Sequence, residues 1–486
     1  MSSHHAAIDL GAESGRVIVG TFDRDHLTLH EIHRFPTGAS SLGGTLRWDL
    51  LRIFDEIKKG LRQAGRNFPG LASVSTDSWG VDYIYWSKTD AILGFPFHYR
   101  DNRTDGAFER AFAKVSKADI FGETGLQFMP FNTVYQWADD LARRPGVVAA
   151  AEGTLLIADA INFLLSGRPV AEASLASTTQ LYHPGRREWS QPLIQGLGLQ
   201  GIPLPAIVPS GTRLGTLLPE LQRELGIGPL EVIATCSHDT GAAVAAVPGR
   251  GDDWAYLSSG TWSLLGLEIP EPNLSPAVLE ANFTNEVGFG GSIRFLKNIV
   301  GLWIVQECRR AWEEEGRPYS YAELTELAAA SPSPRAWIDP QDDRFAKPGD
   351  MPAKIRAFCR ERGQPEPAND GAVIRCVLES LALLYRKILD QAETLTGRTV
   401  RRLHIVGGGS QNRLLNQFAA DATGREVLAG PVEATAMGNI LLQALALGHI
   451  ASLAQLREVV EGSSETERFP PANSEMWADG SAVFAP

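Results

Sequence analysis

The chain has 486 residues, of which 44% are hydrophobic and 21% charged; this is the composition of an ordinary globular protein that is too long for a single core. Its formal net charge of −12 disfavours partners that require a basic surface, so we expect neither nucleic acid nor a membrane as a partner. We see no apolar run long enough to span a bilayer and no signal peptide, which favours a cytoplasmic protein. The four cysteines form no C-x-x-C pair, and a contact between Cys359 and Cys376 is left open.

The first hundred residues predict strands followed by a helix. The helix should begin after Asp49, a plausible N-cap, and run through Leu61. His30 and His33 lie three residues apart on a predicted strand, so they should face opposite sides of it and form no zinc site. The predicted strands are Ala6–Leu10, Arg16–Phe22, Leu27–Phe35 and Ala72–Thr76, the last of which leads into a turn at Asp77–Gly80.

A similar pattern begins again near residue 230. An apolar strand is expected at Glu231–Cys236 and a tightly packed helix at Gly241–Ala246, followed by two strands, Ala255–Leu257 and Trp262–Ile269, joined by a tight turn. This strand–turn–strand arrangement repeats that of residues 8–19. We therefore predict a duplicated α/β unit, with two domains and a cleft between them.

The segment Asp9–Arg16 joins two predicted strands through a glycine-bracketed turn. Gly11 and Gly15 would permit positive φ angles and close approach of backbone N–H groups to an anion. Ser14 and Arg16 could donate hydrogen bonds to phosphate oxygens, and Asp9 lies where a hydrated Mg²⁺ could bind. An ordinary β-hairpin with a surface arginine would also explain this pattern.

The segment Ser258–Thr261 is a second turn rich in hydroxyl groups and glycine, and on its own it would be an ordinary turn. Together with the first turn, it could bind a polyphosphate from two sides. Gly407–Gly409 could lie against an adenine or ribose, or form a flexible turn in which Ser410 caps the helix expected at Arg413–Ala422.

Asp239 follows a predicted strand and begins a predicted helix. A helix N-terminus favours an ionised carboxylate, which could accept a proton from an attacking hydroxyl group. An Asp or Thr N-cap would explain the same pattern. The sequence lacks a P-loop motif, a G-x-S-x-G elbow and a G-x-G-x-x-G fingerprint, which argues against P-loop enzymes, α/β-hydrolases and dinucleotide-binding proteins.

Taken together, these motifs resemble those of the FGGY carbohydrate kinases, and within that family those of the branch that acts on L-rhamnulose. The resemblance extends along the whole chain and includes DLGAESGR (9–16), STDSWGVDY (75–83), FMPFNTVYQ (128–136), SHDT (237–240), YLSSGTWSLLG (256–266), DPQDDRF (339–345), HIVGGGSQN (404–412) and GPVEATAMGN (430–439). It implies an actin-like (ribonuclease H-like) fold, with an N-terminal domain (1–243) for sugar and phosphate and a C-terminal domain (244–486) for nucleotide.

The resemblance also implies transfer of the γ-phosphoryl group of ATP, with Mg²⁺, to the 1-hydroxyl of L-rhamnulose by a monomer or homodimer. Asp239 matches the catalytic base and Asp9 the carboxylate near the metal. Trp79 and Gly80 replace an Arg–Glu pair found in glycerol kinase-like members, and we hypothesise that together they form a flatter, more apolar wall suited to the methyl group of a 6-deoxy sugar. The matching nucleotide contacts are Ala12, Glu13, Ser14, Gly15, Arg16, Thr261, Gln306 and Gly408, and the matching sugar contacts are Gly80, His238, Asp239, Thr240 and Asn298.

Three alternatives to this assignment remain. The first is a kinase for another ketose, such as L-fuculose or D-xylulose. The second is an actin- or Hsp70-like ATPase without a sugar substrate, and the third is a sugar-sensing pseudokinase, against which the presence of Asp239 and Arg16 argues.

Overall fold

The computed structural model describes residues 2–333, 335–473 and 477. The chain divides into two compact units, and each is discontinuous in sequence. The first unit contains residues 2–248, 268–295 and 434–463, and the second contains 249–267, 296–433 and the described residues after 463. None of the helices in the described part of the chain is both long and apolar enough to cross a membrane.

Up to residue 248, strands alternate with mostly short helices. The strands are β1 (Ser3–Leu10), β2 (Ser14–Asp23), β3 (His26–Pro36), β4 (Ser40–Leu42), β5 (Thr45–Arg47), β6 (Leu71–Ser78), β7 (Tyr83–Trp86), β8 (Gly153–Leu156), β9 (Val170–Glu172), β10 (Tyr182–His183), β11 (Glu188–Trp189), β12 (Ala206–Val208), β13 (Thr212–Thr216) and β14 (Glu231–Ala234). The helices are α1 (Leu50–Asn67), α2 (Ala107–Phe112), α3 (Lys117–Thr124), α4 (Thr133–Arg143), α5 (Pro145–Ala150), α6 (Ile157–Ser166), α7 (Ala173–Ala176), α8 (Gln191–Leu197), α9 (Pro219–Leu225) and α10 (Asp239–Ala245).

The remainder of the chain is richer in helix. Its strands are β15 (Trp254–Ser259), β16 (Trp262–Ile269), β17 (Thr284–Val287), β18 (Ile293–Val300), β19 (Arg402–Val406), β20 (Glu426–Ala429) and β21 (Glu467–Phe469). Its helices are α11 (Pro276–Ala281), α12 (Trp303–Glu314), α13 (Tyr321–Ala330), α14 (Asp343–Ala346), α15 (Met351–Glu361), α16 (Asp370–Thr396), α17 (Arg413–Thr423), α18 (Ala434–Ala446) and α19 (Leu453–Ser463). Short 3-10 turns lie at Asn102–Thr104, Ser177–Thr179, Phe289–Gly291 and Gly408–Gln411.

The main sheet of the first unit has the strand order β13-β14-β6-β1-β2-β3. β1 and β2 form an antiparallel hairpin, whereas β1 and β6 are parallel. The apolar side chains of β1 and β6 are buried and pack with those of α1, for example Ile8, Val74 and Ile57. The parallel pairing places Asp9 opposite Asp77, so that two carboxylates lie side by side at the end of adjacent strands.

A second sheet has the order β17-β18-β16-β15-β19-β20-β21. It repeats the arrangement of the first: β15 is antiparallel to β16 and parallel to β19, which is itself parallel to β20. The order β18-β16-β15-β19-β20 thus corresponds to β3-β2-β1-β6-β14 of the first sheet. The predicted duplication of an α/β unit is confirmed.

Most predicted elements are present, and several boundaries differ. Helix α1 begins after Asp49, whose carboxylate accepts a hydrogen bond from a backbone N–H, as predicted, and it continues to Asn67. Strand β6 extends through Ser78, so Asp77 belongs to the sheet rather than to a turn. Helix α17 is capped by Asn412 and not by Ser410, which lies in the preceding 3-10 turn.

The prediction that His30 and His33 face opposite sides of β3 is wrong. His33 Nε2 lies 2.6 Å from Glu56 of α1, and the His30 ring packs against Phe68 at the end of that helix. The pairing with β2 skips Ile32, which forms a β-bulge. Because of this extra residue, the side chains of His30 and His33 lie on the same side of β3. Within the described ranges, no group of three His, Cys, Asp or Glu side chains could hold a metal ion.

The four cysteines are buried free thiols. Cys359 on α15 and Cys376 on α16 are in contact through a hydrogen bond, which lowers the pKa of Cys359. The contact between Cys359 and Cys376 that the sequence left open is therefore a hydrogen bond between two thiols.

Candidate active site

Asp239 is the first residue of α10 and follows the short loop after β14. Its Oδ1 accepts hydrogen bonds from the Thr240 backbone N–H (2.6 Å) and hydroxyl (3.2 Å), and His238 Nε2 lies 3.4 Å away. Within the described part of the chain no donor bonds to Oδ2, and 30% of the side-chain surface is exposed. One carboxylate oxygen is therefore held by the protein, while the other is open to a ligand.

Burial raises the pKa of Asp239 above its usual range. His238 and the Thr240 backbone N–H oppose this shift, and the negative charge of Asp9 adds to it. Protein atoms therefore surround the carboxylate closely although part of its surface is open. A carboxylate with a raised pKa is a stronger base once it is ionised.

Asp77 is a residue of this site that the sequence did not identify. It lies opposite Asp9 in the parallel pairing, and Asn439 Nδ2 donates to its Oδ2 at 2.5 Å. Burial raises the pKa of Asp77 well above its usual value, and the charges of Asp9 and Asp239 add to the shift. Its Oδ1 is buried without a hydrogen-bond partner among the described residues. The signal that could have revealed it is a polar residue at the end of a strand adjacent to that of Asp9.

The turn that contains Ala12, Glu13, Ser14, Gly15 and Arg16 is a tight hairpin. The Gly11 N–H donates to the Ser14 carbonyl at 3.0 Å, and Arg16 Nη2 contacts Asp9 Oδ2 at 2.5 Å. Neither Gly11 nor Gly15 has a positive φ, so the expectation of positive φ angles at these glycines is wrong. At Gly15 the reason is space, because a Cβ would lie 2.5 Å from the Phe35 ring.

Gly80 follows β6, and the next residue, Val81, is hydrogen-bonded through both its backbone N–H and its carbonyl. Val81 has a φ of +69°, which is a strained conformation for a β-branched residue. Its N–H donates to Thr178 Oγ1 (3.2 Å), and its carbonyl accepts from Thr133 Oγ1 (2.7 Å). A Cβ at Gly80 would lie 3.0 Å from Thr178. The hydrogen bonds to Thr133 and Thr178 stabilise this strained turn.

The Trp79 indole does not form the wall that the sequence suggested. It is only 6% exposed, packs against Trp48 with the ring centroids 4.0 Å apart, and donates from Nε1 to Asp82 at 3.1 Å. Burial raises the pKa of Asp82 to about 7. The part of this turn that a ligand could contact is therefore the partly exposed Gly80.

The second unit holds the other predicted nucleotide residues. Gln306 Nε2 donates to Thr261 Oγ1 at 3.2 Å, so these two residues lie together. Gly407 has a φ of +83°, and a Cβ there would lie 3.1 Å from the Ser259 carbonyl oxygen. By contrast, the space beside Gly408 is open, since no heavy atom lies within 4 Å of where its Cβ would be. Asn298 is on β18, which is next to β16 in the sheet.

Two further side chains lie against His238 and were not identified from the sequence. Arg294 Nη2 is 3.0 Å from His238 Nδ1, and Glu286 Oε2 is 3.4 Å from the same atom. Both residues are buried, on β18 and β17 respectively. A buried arginine in an otherwise ordinary strand pattern gives no signal of such a contact in the sequence.

Comparison with known proteins shows the family of this chain. The model of the FGGY family of carbohydrate kinases, N-terminal domain, matches residues 5–246, and that of the C-terminal domain matches residues 255–447. Similar relatives include the rhamnulokinase of Bacteroides thetaiotaomicron, 41% identical over 98% of both chains, and that of Klebsiella pneumoniae subsp. pneumoniae, 40% identical over 99% of this chain and 98% of the relative.

Solved structures share the fold at low identity. A ligand-bound xylulose kinase from Lactobacillus acidophilus has a TM-score of 0.81 at 15% identity and covers 99% of this chain and 97% of its own. Plasmodium falciparum glycerol kinase with ADP has a TM-score of 0.78 at 14% identity, with 99% and 97% covered. With both domain models matched and near-complete relatives at about 40% identity, the chain belongs to the FGGY family of carbohydrate kinases.

Proposed function

We propose that this protein transfers the γ-phosphoryl group of ATP to the 1-hydroxyl of L-rhamnulose. Asp239 takes the proton of the sugar hydroxyl group while the hydroxyl oxygen bonds to the γ-phosphorus. ADP then leaves with the electrons of the broken P–O bond. The relatives named rhamnulokinase, which match nearly the whole chain at 39–41% identity, support the choice of ketose.

The observation that carries this proposal is the asymmetry of the Asp239 carboxylate. Oδ1 is fixed by Thr240, whereas no donor from the described residues occupies Oδ2. A general base needs this arrangement, because the accepting oxygen must be free to approach the hydroxyl proton while the side chain is held in place. The alternative N-cap role does not apply to Asp239, because His238 is the N-cap residue of α10.

The residues also fit a magnesium ion. Asp9 and Asp77 supply hard carboxylate oxygens at adjacent strand ends, and the buried Asp77 Oδ1 lacks a hydrogen-bond partner among the described residues. Mg²⁺ typically binds through one or two carboxylates, with waters and substrate phosphates completing its shell. When bound there, it would neutralise phosphate charge. The protein's own part is to hold the two carboxylates in register.

We assign the other contacts as the family resemblance implies. For ATP, the contacts are the Ala12–Arg16 turn, Thr261, Gln306 and Gly408, where open backbone and hydroxyl groups suit phosphate and nucleoside. For the sugar, they are Gly80, His238, Thr240 and Asn298. Residues 1–243 would then contribute mainly sugar and phosphate binding, and residues 244–486 nucleotide binding. The four free thiols support a reducing compartment, and we propose the cytoplasm.

A coupled ADP-release assay across a ketose panel tests the proposal. L-Rhamnulose, L-fuculose and D-xylulose would each be supplied with ATP, with and without Mg²⁺, beside a reaction that lacks ketose. We expect the highest kcat/KM with L-rhamnulose and almost no ADP in the absence of a ketose or of Mg²⁺. A preference for another ketose would overturn the substrate, and equal ADP release without any ketose would indicate an ATPase instead.

A further inference from the structure

We propose that Arg294 is a positioning residue that fixes the tautomer of His238, so that the imidazole Nε2–H faces the carboxylate of Asp239. The inference rests on the proposed role of Asp239 as the base. It adds a group that has no contact with either substrate in the proposed mechanism.

The first step is the burial of Arg294. Its side chain has no exposed surface, and its Nη1 lies 3.1 Å from Glu286 Oε2. The Nε–H donates to the Val287 carbonyl at 3.2 Å. A buried charge needs a close opposite charge, because leaving it unpaired is strongly destabilising. The Arg294–Glu286 pair is therefore fixed in place, and with it the position of Nη2.

The second step concerns the proton on His238. Arg294 Nη2 lies 3.0 Å from His238 Nδ1, within hydrogen-bond distance. A guanidinium group can only donate, so Nδ1 must accept and cannot carry a proton. The imidazole is therefore neutral with its proton on Nε2, since the hydrogen bond made by one ring nitrogen determines the protonation of the other.

The third step is the direction of that proton. His238 Nε2 lies 3.4 Å from Asp239 Oδ1, and the His238 backbone N–H is anchored to Ser174 Oγ at 3.1 Å. With the proton on Nε2, an N–H dipole points towards the carboxylate and helps to keep it oriented. With the opposite tautomer, a nitrogen lone pair would face the same oxygen and repel it.

Glu286 makes the choice of tautomer depend on Arg294. Its Oε2 is 3.4 Å from His238 Nδ1, and a carboxylate alone would accept a proton from that nitrogen. Without Arg294, the protonated Nδ1 would be the stable form, and Nε2 would lose its proton or the ring would become charged. Arg294 thus prevents Glu286 from reversing the orientation of the imidazole.

The first experiment observes the tautomer directly, without substrate or turnover. The full-length, ligand-free protein would be labelled with ¹⁵N-histidine, and the His238 ring signals would be assigned by their loss in His238→Gln. We expect a proton on Nε2 alone in the wild type, and a proton on Nδ1 in Arg294→Met. A wild-type ring protonated on Nδ1, or on both nitrogens at neutral pH, would overturn the proposal.

The second experiment separates tautomer control from simple charge balance. We expect Arg294→Met to lower kcat about 10- to 100-fold, by analogy with the loss of a group that orients a metal-binding histidine. Adding Glu286→Gln removes the opposing charge and supplies an amide N–H that can donate to Nδ1, so most of the lost kcat should return. Adding Glu286→Leu instead removes the charge but supplies no donor, so kcat should stay low.

Equal recovery in the two double variants would show that only charge balance matters and would overturn the proposal. Circular dichroism and thermal unfolding would establish that each variant is folded. If Arg294→Met does not fold, the wild-type spectrum still decides the tautomer. The inference and the proposed function can fail separately. Near-normal turnover by Asp239→Asn would show that Asp239 is not the base, whereas the tautomer of His238 is measured in the wild type without turnover.

Discussion

At the scale of single residues, the site depends on side chains whose two polar atoms have different surroundings. Asp239 has one oxygen bound to Thr240 and the other open, and His238 has one nitrogen facing Arg294 and the other facing Asp239. The residue types were visible in the sequence as SHDT. For His238, the nitrogen that is occupied depends on Arg294, a neighbour from the distant strand β18.

The first prediction concerns Asp239→Asn. The asparagine Oδ1 can still accept from the Thr240 N–H, so the start of α10 should remain intact, but the amide cannot take a proton. We expect kcat to fall by about 10²- to 10⁴-fold, the usual contribution of a general base, with ATP affinity nearly unchanged in calorimetry. Asp55→Asn, a change at an exposed position on α1, is the matched control. Near-normal turnover by Asp239→Asn would show that another group is the base.

The second prediction concerns pH. Because burial raises the pKa of Asp239, the protonated and inactive form should persist to higher pH than for an exposed aspartate, whose pKa is about 3.9. As pH falls through the raised value, kcat/KM should decline. The charges of Asp77 and Asp239 interact, so the acid limb of the profile reports these two carboxyl groups together. A pH–rate profile with its acid limb at or below the value for a free aspartate would contradict the assignment.

At the scale of secondary structure, helix α10 carries Asp239 and packs closely on α18. Gly438 makes this possible, because a Cβ there would overlap the Ala242 carbonyl oxygen of α10. Small residues at a helix–helix contact were suggested by the sequence of α10, but its partner lies almost two hundred positions later in the chain. The pattern of small residues in the sequence of one helix cannot reveal which other helix it contacts.

Gly438→Ala tests this contact. Overpacking at such a site usually costs about 1–3 kcal/mol, so we expect the free energy of unfolding to fall by that amount in urea titrations. Because α10 must shift, kcat should fall as well. Gly122→Ala on α3 is the matched control, since no heavy atom lies within 4 Å of the new Cβ, and it should be neutral or slightly stabilising. Unchanged stability and turnover in Gly438→Ala would show that the backbones are not in tight contact.

The β-bulge in β3 illustrates a second limit of pattern reading. Strict alternation predicts that side chains three apart face opposite sides. One unpaired residue, Ile32, reverses that expectation for His30 and His33. The bulge arises from pairing with β2 and is invisible in β3 alone.

At the scale of the whole molecule, each compact unit is assembled from separate segments of the chain. The first unit includes residues 434–463, and α18 from that segment contributes Asn439 and Gln443, which bond to Asp77, Ser73 and the Ala6 carbonyl. Its apolar side chains, such as Ile440, pack near Gly20 of β2. The sequence predicts a duplication, but it does not show that a late segment completes the first unit.

We therefore predict that a fragment of residues 1–248 does not fold on its own. Without α18, an apolar face of the sheet and the buried polar groups of β1 and β6 would be exposed. The fragment should show low cooperativity in thermal unfolding and poor dispersion in NMR spectra, and co-expression with residues 434–463 should improve both. A fragment that unfolds cooperatively without residues 434–463 would contradict this expectation.

The sequence by itself determined the local features: the strands around Asp9 and Ser258, the N-cap Asp49, the duplication of the α/β unit, and the residue types of the site. These follow from periodicity, capping chemistry and motifs, which act over a few neighbouring residues. Only the tertiary structure decided that Asp77 lies beside Asp9, that Trp79 faces inward to Asp82, and that Arg294 and Glu286 face His238. Except for the hydrogen bond between Trp79 and Asp82, those contacts join residues tens of positions apart, and strand register, helix packing and burial determine them.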